Sequence, residues 1–224
     1  MPEDSRDLFY FERPLWQCGS RVAGIDEVGR GALAGPLMVG AVLLASERAH
    51  PEGLDDSKRL TARRREALVP EIRSWCDASA VGLASAAEID EVGLTGALRL
   101  AGWRALEMLD VTPTHVLLDG AHDFLTPPAA PSLLTGEAHS DHSSLVPVTT
   151  VVRGDSRSAL IAAASVLAKV ERDALMCALS PRFLAYGWSR NKGYGSASHL
   201  AALRDLGPSS QHRTSWRLPM KNSS

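Results

Sequence analysis

Asp26 and Glu27 stand side by side at the end of the apolar run Arg21-Val22-Ala23-Gly24-Ile25 and are followed by Val28-Gly29-Arg30-Gly31. A buried strand favours Val, Ile and Ala, and burying two adjacent ionised carboxylates costs several kcal/mol unless a cation or a donor group compensates. Two acids at this point therefore suggest a bound metal ion. Successive strand residues face opposite sides of a sheet, so both acids can serve one ion only at a strand end or bend. Gly29 and Gly31 supply such a bend. They also let a ligand approach the backbone closely, with amides free to donate and the Arg30 guanidinium shaped to fork onto phosphate.

Two further acids stand in comparable settings. Asp119 ends the short apolar run Thr114-His115-Val116-Leu117-Leu118 and precedes Gly120; Asp155 lies in Gly154-Asp155-Ser156, just ahead of a long helical pattern. An acid at the carboxyl end of a strand lies on the edge where α/β sheets place ligands, and one ahead of a helix lies near its positive end. If these strands are neighbours, oxygen donors without His or Cys select Mg²⁺ or Mn²⁺. A pair of such ions ~3.5–4 Å apart serves in-line displacement at phosphate, one activating water and one stabilising the leaving oxygen. The chemistry would then be phosphodiester hydrolysis.

Simpler readings compete at each position. Asp26-Glu27 fits a solvated strand end, and Asp119-Gly120 fits an ordinary turn. Gly29-x-Gly31-x-x-Ala34, with Asp55 downstream, loosely fits a dinucleotide-binding fingerprint, but that motif must open a helix. Here Pro36 and the apolar run Leu37–Leu44 follow instead. His139-x-x-His142 resembles a metal pair, yet no Cys or further close His completes a ligand set.

The elements that must position the acids can be read from periodicity. Val22–Val28 and Leu37–Ala45 read as antiparallel strands joined by the Gly-rich turn, with further strands over Ala78–Ser85, Thr114–Gly120 and Val148–Val152. Thr61 can cap a helix on which Leu60, Leu68, Ile72, Trp75 and Cys76 recur on one face, and which Pro70 is expected to kink or split. A helical turn over Ala86–Asp90 and an amphipathic helix over Thr95–Leu109 follow, then helices over Ser158–Leu179 and from about Ala197 to Leu206. Leu160–Ser165 is rich in small residues, which permits close packing. Asp173 lies roughly 22 Å along its helix from Ser158 at 1.5 Å per residue. It cannot share a site with that helix's start and pairs instead with Lys169 at i,i+4.

At 224 residues and 45% hydrophobic, the chain can bury a full core. Cys18, Cys76 and Cys177 are odd in number and far apart, which indicates neither a disulfide framework nor a zinc site. The polar N-terminus and the absence of an apolar run of ~18 residues imply a soluble, cytoplasmic protein without a membrane span. A net charge of −2 argues against a broadly basic polyanion binder. Cations are nevertheless concentrated from Lys58 to Arg73 and from Arg190 to the C-terminus, where they could flank an acidic centre; Arg63 to Arg65 equally fit a solvated helix face. Residues 1–20 read as a loosely ordered lead-in whose Phe9, Tyr10, Phe11, Leu15 and Trp16 can dock on the core. Phe124–Pro147 reads as a Pro-rich surface loop, and Trp188 and Trp216 as core anchors.

Six blocks in order carry a resemblance. They are Gly24–Pro36, Asp56-Ser57-Lys58, Leu118-Asp119-Gly120, Gly154-Asp155-Ser156, Ala162–Asp173 and Lys192-Gly193-Tyr194-Gly195. Over residues 20 to 217 the chain resembles the bacterial ribonuclease HII family of the ribonuclease H-like superfamily. The resemblance implies an α/β fold, a mixed ribonuclease H-like sheet of about five strands flanked by helices. It implies a catalytic domain over 21–183 and a small helical extension over 184–224 that completes a nucleic-acid groove. The implied activity is cleavage of the RNA strand in RNA/DNA hybrids, including single ribonucleotides in duplex DNA, leaving 3′-hydroxyl and 5′-phosphate ends. By position, Asp26, Glu27 and Asp119 would be the ligands of Mg²⁺ or Mn²⁺, and Asp155 the fourth catalytic acid. Gly29, Arg30 and Gly31 would read the ribose 2′-hydroxyl, and Tyr194 would pack on the next sugar. Lys58 and Lys169 are candidates for phosphate contact. The expected assembly is a monomer. The chain departs from the family pattern in its Pro-rich stretch, which is longer than expected between the third and fourth acids. A non-catalytic hybrid-binding module and a Mg²⁺-dependent small-molecule phosphatase remain the rival functions.

Overall fold

The computed structural model describes residues 7–127 and 146–219. Strands β1 (Val22–Val28), β2 (Leu37–Leu44), β3 (Ala78–Ala84), β4 (His115–Asp119) and β5 (Val148–Val151) form one mixed sheet in the order β3-β2-β1-β4-β5. β2 runs antiparallel to β1 and β3, whereas β1, β4 and β5 are parallel. The Gly29–Pro36 segment therefore joins two antiparallel strands and opens no helix, which removes the dinucleotide-binding reading.

Side-chain alternation splits the core between the two faces of the sheet. Val22, Val42, Leu44 and Leu117 face α4 (Ala159–Leu179) and α2 (Ala62–Trp75). Ala23, Ile25, Val39, Leu43 and Leu118 face α3 (Ala86–Glu107). The small residues of α4 are explained by its approach to the sheet. A Cβ on Gly24 would lie 2.5 Å from the Ile161 amide nitrogen, and one on Gly40 would lie 2.3 Å from the Ala164 carbonyl oxygen. Glycine on the strands and alanine on the helix bring the start of α4 against β1 and β2, beneath the acids.

Caps set the helix starts. Thr61 accepts from the Arg64 amide, Ser158 from Ile161, and Ser85 forms a reciprocal capping box with Glu88. Gly93, at φ 72°, interrupts α3 and separates the two helical segments that the periodicity predicts. Pro70 does not split α2, which runs unbroken through it. The residue is exposed, so the carbonyl that loses its backbone partner there lies on the solvent side.

The lead-in is more ordered than expected, since Glu12–Gln17 form helix α1. Phe9, Phe11, Leu15 and Trp16 dock on the core as expected, Phe9 beside Trp75, whereas Tyr10 stays exposed. Beyond α4, α5 (Trp188–Asn191) and α6 (Ala197–Leu206) enclose a third cluster in which Tyr186, buried Trp188 and Leu203 meet Ala34 and Met176. Trp216 packs beside the α3 face. Most of the Pro-rich stretch, with His139 and His142, lies outside the described residues. Among the described residues no helix is long and apolar enough to cross a membrane.

Candidate active site

Pairing between β1 and β4 runs from Val22–His115 to Ile25–Leu118, so Asp26 and Asp119 come next in register at the carboxyl edge of adjacent parallel strands. By alternation both follow residues of the α3 face and turn toward α4. Glu27 belongs to the other face, but β1 has by then outrun its pairing with β4, and Glu27 looks over the strand end. It lines a cleft of about 270 Å³ with Arg30, Thr95, Leu98, Asp119 and Phe124. β5 ends beside Asp119, and the 3₁₀ turn Gly154–Ser156 carries Asp155 to the same edge.

Each acid is held by identifiable donors. Asp26 accepts from the Glu27 amide at 2.8 Å and from the Ser165 hydroxyl on α4. Ser165 is in turn 2.7 Å from the hydroxyl of Ser57. Asp119 accepts from the Gly154 amide at 2.6 Å, and Asp155 lies 3.1 Å from the Lys58 ammonium. Glu27 is 3.5 Å from the Arg30 guanidinium. Arg65 donates to the carbonyls of Ser57 and Leu60, which fixes the loop that brings Lys58 in.

The electrostatics record the crowding. Burial, then the charges of Glu27 and Asp119, holds Asp26 well above the ordinary carboxylate range. Burial and Asp119 raise Glu27; burial and Asp155 raise Asp119. Burial pulls Lys58 down, but the hydrogen bond and charge of Asp155, with Asp26 and Asp56, override it and raise its pKa. Four carboxylates thus face two cations, Lys58 and Arg30, both of them largely exposed on the rim. Among the described residues no three His, Cys, Asp or Glu side chains are gathered closely enough to ligate an ion as they stand. The donor set nevertheless fits a hard divalent cation: its oxygens are anionic, partly desolvated and mutually repelling, which is the imbalance such an ion relieves.

Of the remaining candidates, Gly29 and Gly31 flank Arg30 in the loop leaving β1. Gly29 has φ +85°, and the position of a Cβ on Gly31 meets open space. Tyr194 stands on the C-terminal side, joined to this loop because the Gly193 carbonyl accepts from the amides of Leu33 and Ala34. Lys169 is not with the acids. It pairs with Asp173 at 2.8 Å, as its spacing implies, and lies 5.9 Å from the centre of the Tyr194 ring. Sequence reasoning gave no role to Ser57, Ser165 or Arg172, although all three lie inside the blocks that carry the resemblance. Ser165 bonds Asp26, and Ser57 backs Ser165. Arg213 was counted among the cations expected to flank the acids; instead it and Arg172 are fully buried behind the glycine loop, and neither carries a local sign of burial.

A five-stranded mixed sheet with acids gathered on the carboxyl edge of its central parallel strands places this protein in the ribonuclease H-like class. The ribonuclease HII of Archaeoglobus fulgidus, solved as a complex with PCNA, has the same fold: TM-score 0.65 at 25% identity, covering 88% of this chain and 96% of that one. The family model for ribonuclease HII matches residues 23–219, and the chain belongs to the ribonuclease HII family. Among its relatives, the ribonuclease HII of Streptomyces avermitilis is 47% identical across 87% of this chain and 76% of its own length. That of Synechococcus sp. strain CC9902 is 49% identical across 88% and 92%.

Proposed function

We propose that this protein is a metal-dependent endoribonuclease that cuts the RNA strand of RNA/DNA hybrids and the 5′ side of single ribonucleotides in duplex DNA. It leaves 3′-hydroxyl and 5′-phosphate ends. The observation that carries the reading is the meeting of Asp26, Glu27, Asp119 and Asp155 at one sheet edge, beside a glycine loop with amides open to solvent. Asp26, Glu27 and Asp119 would hold Mg²⁺ or Mn²⁺. Bound there, such ions supply Lewis-acid activation of water and charge stabilisation at the leaving oxygen.

The chain's own groups do the rest. Ser165 and the Glu27 amide hold Asp26, and the Gly154 amide holds Asp119, so both carboxylates already face the edge to which a bound ion would draw them. Lys58, held by Asp155, stands ready to meet a phosphate oxygen. The amides of Arg30 and Gly31 suit a ribose 2′-hydroxyl, the group that separates RNA from DNA. Tyr194 offers a half-buried ring for the neighbouring sugar. We further place the protein in the cytoplasm as a monomer, which fractionation and size-exclusion chromatography test.

The deciding assay incubates the protein with labelled duplex DNA containing one ribonucleotide, with and without Mg²⁺ or Mn²⁺. A cut 5′ to the ribonucleotide, abolished by chelator and by Asp26→Asn, supports the reading. Binding without cutting, equal in parent and variant, would make the protein a hybrid-binding module. Metal-dependent phosphate release from small esters that duplex fails to inhibit would make it a phosphatase.

A further inference from the structure

The carbonyls of the glycine loop are gathered by two buried guanidinium groups. Arg213 donates to Gly29 O at 2.7 Å, to Arg30 O at 2.9 Å and to Gly35 O at 3.2 Å. Arg172, on α4, donates to Pro36 O at 2.9 Å, Ala34 O at 3.2 Å and Lys192 O at 2.9 Å. Both side chains are at 0% exposure, and their hydrogen bonds go to backbone carbonyls. Burial holds both below the ordinary arginine range, Arg213 to about 10, with the charge of Arg172 adding to the effect there. Among the described residues neither guanidinium forms an ion pair; carbonyl dipoles stabilise both charges, and those dipoles belong largely to one loop.

The orientation of the loop amides follows from peptide geometry. In a trans peptide the C=O of one residue and the N–H of the next point in opposite directions, and there is no cis bond here. With the Gly29 and Arg30 carbonyls turned inward to Arg213, the N–H groups of Arg30 and Gly31 must turn outward. Among the described residues neither amide has a protein acceptor, and the space beside Gly31 is open. Arg172 extends the arrangement. By bonding Ala34, Pro36 and Lys192 it ties the loop to the Lys192-Gly193-Tyr194 segment, and its guanidinium carbon lies 5.3 Å from the centre of the Tyr194 ring. The segment bearing Arg213 is itself anchored to α3: Asp90 accepts from the amides and hydroxyls of both Thr214 and Ser215.

We infer that Arg213, seconded by Arg172, is a positioning residue for ribose discrimination, aiming the Arg30 and Gly31 amides at the sugar and fixing their distance from Tyr194. The inference rests on the nuclease reading and names what sets that site's selectivity. Lysine at position 213 keeps the charge but, as a single point donor, cannot reach three carbonyls at once.

The test measures binding of two duplexes, one all DNA and one with a single ribonucleotide, by fluorescence anisotropy in chelator. The parent is expected to prefer the ribonucleotide duplex, and Arg213→Lys to lower that preference about tenfold, the scale of one or two hydrogen bonds. A merely structural role would weaken both duplexes equally and leave the ratio unchanged, which overturns the inference. So does a parent with no preference. Asp90→Ala, which loosens the Arg213 segment without touching the loop, is expected to lower the ratio severalfold. Should Arg213→Lys not fold, Asp90→Ala decides alone, and an unchanged ratio overturns the inference. Cleavage by the parent in Mg²⁺ or Mn²⁺, run in parallel, is a separate readout: its absence sinks the nuclease reading and not the clamp.

Discussion

Asp119 Oδ1 accepts the Gly154 amide at 2.6 Å and the Asp155 amide at 3.4 Å, so the acid that ends β4 also caps the turn carrying the fourth acid. The two functions can be separated. Asn at 119 keeps an oxygen for the cap but loses the charge; Ala loses both. Asp119→Asn is expected to lower kcat by about 10²–10³-fold, the range for loss of one preorganised electrostatic group, while its melting temperature in chelator stays at or above the parent's, because a charge that raises Asp26 and Glu27 is gone. Asp119→Ala should be as inactive and less stable than Asp119→Asn by about 1 kcal/mol, the usual worth of a cap. Cleavage rates and thermal melts of both variants check this; equal melting temperatures for Asn and Ala would show that the cap contributes nothing.

Lys58 partly neutralises the acid cluster through Asp155. Removing its charge should hurt the metal-free protein and help a cation bind. Lys58→Gln is therefore expected to melt lower than the parent in chelator, and to gain more from added Mn²⁺, because binding to the native state stabilises by mass action. Its cleavage rate should still fall, about tenfold or more, because a phosphate contact is lost. Differential scanning fluorimetry across a Mn²⁺ titration, paired with cleavage assays, separates the two effects. An identical Mn²⁺ response in parent and variant would place Lys58 outside the metal's field.

The elements that position the acids were legible because they break a pattern. Asp26, Glu27 and Asp119 are polar letters ending apolar runs, and Asp155 precedes a strong helix period, so sequence alone marks them. Strand bounds followed from the same contrast, as did the Thr61 cap. The burial of Arg172 and Arg213 was not legible. An arginine destined for the interior looks like a surface arginine, and most of the acceptors here are carbonyls more than a hundred positions away in the chain. Glu12 was missed for the same reason: its partner, Ser158, is distant in sequence and unremarkable by type.

Gly40 has no side chain because α4 leaves no room for one; a Cβ would sit 2.3 Å from the Ala164 carbonyl oxygen. The obstacle is helix backbone, which cannot rotate away. Gly40→Ala should therefore push α4 off the sheet and destabilise by about 1–3 kcal/mol, the usual overpacking range. Because α4 carries Ser165 under Asp26, cleavage should fall as well, even well below the melting temperature. Urea denaturation and initial rates test the pair; normal rates in a destabilised variant would disconnect helix position from the site.

Glu12 is buried at the start of α4, where Oε1 accepts from the Ser158 hydroxyl at 2.5 Å while Oε2 has no hydrogen-bond partner among the described residues. Burial is the main reason its pKa rises from 4.5 to about 7, with a further push from the charge of Asp7. Between pH 4.5 and 7 the folded protein binds more protons at this group than the unfolded chain does, so stability falls as pH rises, and the loss is complete above about pH 7. Glutamine keeps an oxygen for Ser158 and never ionises. Glu12→Gln should match the parent or fall slightly below it at about pH 5, where an amide N–H₂ lacks an acceptor. It should exceed the parent at about pH 8 by about 1–3 kcal/mol, given ~1.4 kcal/mol for each pH unit that separates the folded and unfolded titrations, less what relaxation of the site recovers. Melting curves of both proteins across this range would cross; parallel curves would mean that Glu12 titrates as it does in water and that its burial carries no electrostatic penalty.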